Sequence, residues 1–189
     1  MKKSSGLLAR VAVTILVVFA TTSLALAQNS NVSNINLNAA LAESLSISLS
    51  GAAVNFTLTG GSASNPGDTT IDATTTWVLK PGRTAVKLYA YFDSAPAALV
   101  HTDVANSDDI PSSAVEVGVN GGAVSPVSST VVFGAANAGL QLFNQSITGV
   151  NKSSNRTDTL NFNINLSSLP QLSADTYSGT LHIQAQATP

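Results

Sequence analysis

The side chains able to do chemistry crowd into one stretch, "HTDVANSDDI", residues 101–110. It sets Asp103, Asp108 and Asp109 beside Asn106 in a segment with no strand or helix period. Calcium takes six to eight oxygen ligands from carboxylates and carbonyls, and a loop of this composition supplies them. The spacing is not that of an EF-hand loop. The same residues also suit turn chemistry, because short Asp, Asn and Ser side chains bond their own backbone. Two readings therefore stand for Asp103, Asp108 and Asp109: a calcium site, or a solvated acidic loop.

Catalysis is poorly supplied. The chain has two histidines and no cysteine, which excludes thiolate nucleophiles and thiolate metal sites. His101 lies near Asp103, and a Ser-His-Asp triad needs its members to meet only in space. Serine is so abundant that its nearness carries no information. His182 falls on the polar side of the last alternating segment. No nucleophile elbow, phosphate loop or zinc-binding helix motif occurs. The sequence predicts a protein that is not an enzyme and needs no cofactor beyond that one candidate calcium site.

Aromatic chemistry centres on Tyr89 and Tyr91, which share a face with Lys87 opposite Leu88, Ala90 and Phe92. Exposed tyrosines beside a lysine can stack on a sugar ring or meet a protein partner. They equally well stabilise a sheet through cross-strand pairs. Trp77 falls with Ile71 and Leu79 and is expected in the core.

These residues sit on elements with a period of two. Leu45, Ile47 and Leu49 alternate with Ser; Val54, Phe56 and Leu58 alternate with Asn and Thr. The pattern recurs at Ile71 to Leu79, Val86 to Phe92, Leu160 to Leu166 and Tyr177 to Ala187. One apolar and one polar face per segment is the pattern of antiparallel sheets covered on one side. Charged residues are only 10% of the chain, so Ser, Thr and Asn carry the polarity, which suits sheet faces better than helices. The expected fold is all-β, a single antiparallel β-sandwich, immunoglobulin-like in the broad sense. Asn120-Gly121-Gly122 marks a tight hairpin between "AVEVGV" and "GAVSPVSS". Pro81-Gly82 is expected to join two long strands as another hairpin. Residues 93–112 and 149–158 read as irregular connections.

The N-terminus predicts export. Lys2, Lys3 and Arg10 precede the apolar run Val11 to Ala27, which closes on the small-x-small site Ala25-Leu26-Ala27. Residues 1–27 are thus expected to be a cleaved signal peptide, with residues 43–189 the sandwich domain. Cleavage would leave Lys80, Arg83, Lys87, Lys152 and Arg156 against ten acidic residues. A sparse, mildly acidic surface argues against nucleic acid and, after cleavage, against membranes. The protein is expected to be secreted or at the cell surface, with the periplasm as its transit compartment.

The stretch "LSSLPQLSADTYSGTLHIQAQA", residues 166–187, resembles the ending of bacterial secreted β-sandwich proteins of the fimbrial and spore-coat-U type. The resemblance rests on Leu169, Pro170, Ala174, Thr176, Tyr177, Ser178, Gly179, Thr180 and Leu181. It departs at Asp175, where those proteins usually carry Gly. The resemblance implies a surface structural or adhesive role, with subunits joined by β-strand addition, in which an extended segment of one copy completes a sheet edge of the next. Residues 28–42 are then either a donor extension, with Val32, Ile35, Leu37 and Leu41 as its apolar side chains, or the first strand of the chain's own sandwich. The alternative function is a monomeric extracellular module that binds carbohydrate or a protein partner through the 93–112 loop or Tyr89 and Tyr91.

Overall fold

The computed structural model describes residues 30–189; the predicted signal peptide lies outside them. Residues 30–40 fall in one unit of the chain and residues 41–189 in another. The described part of the first unit has no regular secondary structure, and its side chains are exposed. In the second, alternation does what the sequence predicts. Ile71, Ala73, Thr75 and Trp77 point inward and are buried, while Asp72 and Thr76 between them are exposed.

The strands of the second unit are β1 (Ser44–Leu49), β2 (Ile71–Val78), β3 (Ala85–Tyr91), β4 (Val100–His101), β5 (Val115–Val119), β6 (Ser125–Pro126), β7 (Gly139–Ser146), β8 (Ser153–Ile164), β9 (Tyr177–Ser178) and β10 (His182–Thr188). One sheet has the order β1-β2-β8-β5-β6 and a second the order β10-β3-β7; β4 and β9 form a short ribbon. The pairings are antiparallel. The two larger sheets face each other as a β-sandwich. Trp77 and Leu79 from one sheet meet Val86, Leu88, Phe92 and Phe143 from the other. Trp77 keeps its indole N–H satisfied by donating to Asn151 O, 2.8 Å away, as a buried tryptophan requires. A smaller cluster of Ile110, Ala114, Ile164 and Leu166 fills one end.

The Asn120-Gly121 hairpin forms as expected. Both residues adopt positive φ, 54° and 72°, and Gly122 N donates to Val119 O. Four other expectations are corrected. Pro81-Gly82 does not make a hairpin: β2 and β3 lie in different sheets, so this turn carries the chain across the sandwich. Both strands aim their apolar faces at the same core, and a crossing satisfies that as well as a ladder does. Val54, Phe56 and Leu58 do not form a regular strand. Their segment has a single bridge, Phe56 to Gly67, and bonds instead to side chains, with Asn55 N donating to Asp68 Oδ1 and Thr59 N to Asn65 Oδ1. Residues 153–158 are strand, not loop, because β8 continues along β2 with Thr74 and Thr157 hydroxyls 2.8 Å apart. The final alternating segment breaks after Ser178 into β9 and β10.

Candidate functional site

β1 pairs with β2 alone and β10 with β3 alone. Each therefore has an outer edge without a strand among the described residues, and the two edges border the same side of the sandwich. The apolar side chains that β1 and β10 aim inward are not fully covered. Leu45, Ile47, Leu181, Ile183, Ala185 and Ala187 are half-buried, and Leu49 is exposed. An inward-facing position that stays half-open on both bordering strands marks a core without a lid.

The opening is a cleft along this seam. Its wide part has a volume of about 550 Å³ and lies between residues 49–56 on one side and 176–183 on the other. Its floor is buried core, including Ile71, Phe92, Val115 and Leu160. At the other, narrow end of the seam a second, separate space of about 390 Å³ is lined by Ser44, Leu45, Arg83, Ala185 and Ala187.

Local chemistry fixes both walls. Gly67 permits close packing on the first wall, since a Cβ there would stand 2.5 Å from Val54 Cγ1. Asp68 holds Asn55 through both its backbone N–H and its side-chain amide, and those bonds keep the Asp68 carboxyl below the usual carboxylate range. The second wall is the Thr176-Tyr177-Ser178-Gly179-Thr180-Leu181 motif. Tyr177 Oη donates to Ser173 O at 2.7 Å and accepts from Asn106 Nδ2 at 3.1 Å. Gly179 lies against the next segment so tightly that a Cβ would come within 2.0 Å of Ala98 O. The motif is thus a structural joint.

At the narrow end Arg83 donates from Nε to Glu43 Oε1 at 2.8 Å and from Nη2 to Glu43 Oε2 at 3.3 Å. Its Nη1 reaches Ala187 O at 3.3 Å, and Lys80 Nζ stands 3.7 Å from Glu43 Oε2. The hydrogen bond from Arg83, with the charges of Arg83 and Lys80, holds the Glu43 carboxyl below its ordinary range.

The residues singled out in the sequence go to separate places. Asp103 Oδ1 accepts from Ala105 N, Asp108 Oδ2 from Ser173 Oγ, and Asp109 Oδ1 from the His101 backbone and ring. His101 therefore pairs with Asp109, not with Asp103. Among the described residues no group of three or more His, Asp or Glu side chains converges on a metal position. Asp175 ties this loop down by accepting from Asp103 N and Asn106 Nδ2. Those bonds, that from Asn106 above all, lower the Asp175 carboxyl.

Tyr89 corrects the expectation of an exposed aromatic face. It is only 5% exposed, because residues 131–136 fold back over the outer face of β3 and set Phe133 edge-on to it at 5.7 Å. Tyr91 is half-covered, stacked on His182 at 5.0 Å. His182 stays on the polar face, 3.1 Å from Asp93. Val32, Ile35, Leu37 and Leu41 are 86%, 84%, 90% and 85% exposed. Sequence reading missed Arg83 and Glu43, which are 40 positions apart; the one signal was an isolated acid just before the β1 alternation. No protein-family model matches this chain, and neither the curated proteins nor the solved structures contain a match to it.

Proposed function

We propose that this protein is a non-enzymatic structural subunit of a bacterial surface, exported from the cytoplasm, whose copies join by β-strand addition. The observation that carries the reading is the uncovered core between the free edges of β1 and β10. An immunoglobulin-type sandwich sets strands A, B, E and D against C, F and G. On that scheme β1, β2, β8 and β5 correspond to A, B, E and D, and β3 and β10 to C and F. Beside β10 the G position has no strand among the described residues. Tyr177 bonds back to Ser173 O ahead of β10, as the tyrosine of such folds does ahead of strand F.

The occupant is residues 32–41 of a second copy. In an extended chain Ile35, Leu37, Ala39 and Leu41 share one side. Alternate apolar side chains of that kind suit the inward row formed by Leu181 and by Ile183 and Ala185 of β10. Residues 28–42 carry no charged side chain, so covering residues 32–41 strands no ion in the core. Backbone bonds to a free edge give affinity and alternate side chains give register.

The test is size-exclusion chromatography and electron microscopy of residues 28–189 at high concentration, beside the same protein lacking residues 28–42. Multimers or filaments are expected from the first, and a monomer with an unchanged melting temperature from the second. A first protein that stays monomeric, or a shortened one that still multimerises, overturns the reading.

A further inference from the structure

We propose that Arg83 clamps the narrow end of the seam and so limits how far an added strand can run along β10. The inference rests on the strand-addition reading and concerns the control of that site.

Arg83 belongs to neither edge strand. It follows Gly82, whose φ of 94° sets the turn that crosses between the sheets, and so it is held at the seam's end by a backbone bend. From there its fork reaches both borders at once. Nε and Nη2 take the Glu43 carboxylate, which leads directly into β1, and Nη1 takes the carbonyl of Ala187 in β10. A bidentate guanidinium–carboxylate pair fixes direction as well as distance. Both side chains are about three-quarters covered, with 26% and 27% exposure. The wide end is different: across it, between residues 49–56 and 181–183, no side-chain hydrogen bond or ion pair spans the walls among the described residues.

A strand arriving at the wide end can pair along β10 from His182 to Ala185 with the clamp closed. To continue to Thr188 it must displace Arg83 from Ala187 O. The clamp therefore sets the length and register of the bound strand. It also keeps β1 and β10 from drifting apart while the cleft is empty.

The test uses residues 28–189, diluted until size-exclusion chromatography shows a monomer with its edge unfilled, and a synthetic peptide of residues 30–42 in excess, read by hydrogen exchange along β10. In the unaltered protein, added protection is expected to stop near Ala185. In Arg83→Ala it should reach Thr188, and protection beyond Ala185 should appear up to a few-fold faster, the scale of one lost solvent-screened ion pair. Glu43→Gln keeps the shape and removes the charge, and should extend protection in the same direction; matched near-ultraviolet circular dichroism establishes that both variants are folded. Equal protected spans and rates in all three proteins, with peptide bound, overturn the clamp and leave strand addition standing. Absence of peptide protection in all three overturns strand addition, and the clamp with it.

Discussion

The sandwich has two seams, and they are treated differently. On the side of β6 and β7 the chain itself crosses from one sheet to the other. Val127 N bonds Val115 O, Ser129 and Gly139 exchange both backbone bonds, and Phe92 N bonds Ala138 O. Val127 and Ala138 are consequently fully buried. On the side of β1 and β10 no described strand makes that crossing, and Leu45, Ile47, Ile183, Ala185 and Ala187 are all half-open, whereas on the other side half-burial stops at Leu140 and Leu142 of β7 and does not reach Val127 or Ala138. The two seams share the alternating pattern. What separates them is whether a third piece of backbone lies across the gap. A period of two identifies the face that turns toward the core; it does not report whether anything covers that face.

The largest expected difference between the seams is set by paired charge insertions. Val127→Asp places a carboxylate in a closed, apolar site with no partner, and is expected to cost more than about 3 kcal/mol in urea unfolding. Leu49→Asp, at the open seam, should stay within about 0.5 kcal/mol of the parent while abolishing the multimers. If the two lose stability equally, the seams are not different and the comparison fails. A smaller effect probes the wall of the open seam. Gly179→Ala forces a methyl into the Ala98 carbonyl and should cost about 1–3 kcal/mol by overpacking. Gly149→Ala, where a Cβ would meet nothing within 4 Å, should be neutral or slightly stabilising. Matching melting temperatures for the two alanine variants would show that the joint at Gly179 has slack.

Much of the fold was legible because short-range rules decide it. The inward faces of β2 and β3, the core position of Trp77 and the positive-φ turn at Asn120-Gly121 all follow from period and turn chemistry. What was not legible depends on distant partners. A Pro-Gly turn fits a hairpin and a crossing alike, and the choice at Pro81-Gly82 is made by which neighbours β2 and β3 find. Tyr89 reads as outward-facing, and it is, but Phe133, 44 positions later, covers it. Residues 149–158 read as loop because their polar character hides an inward pair. Arg156 lies 4.5 Å over the Phe143 ring and binds the buried Asp158, which Asn120 also holds. For the candidate site, the inward order of Leu181, Ile183, Ala185 and Ala187 was visible, whereas the missing cover and the Arg83 clamp exist only once β1 and β10 are side by side.

Acid supplies the gentlest way to separate the seams. Three carboxyl groups held below their ordinary range border the open one: Glu43 by Arg83 at its narrow end, Asp68 by Asn55 at one wall, and Asp175 by Asn106 behind the other. A carboxyl whose pKa is depressed by folding contributes stability above the ordinary carboxylate range. That contribution is lost as the pH falls through the depressed value. The groups lie at the surface within reach of solvent, so each effect is small and weakens with salt. On lowering the pH below the ordinary carboxylate range, the amide resonances of Ala187, Asn55 and Thr176 are expected to move first, and those of Val127 and Ala138 to hold. In Arg83→Ala the Ala187 transition should shift to higher pH, toward an unassisted glutamate, while that at Asn55 stays put. Were the amides of both seams to move together, acid would be unfolding the domain as a whole. An Ala187 midpoint indifferent to Arg83 would mean that Glu43 is not what holds the narrow end.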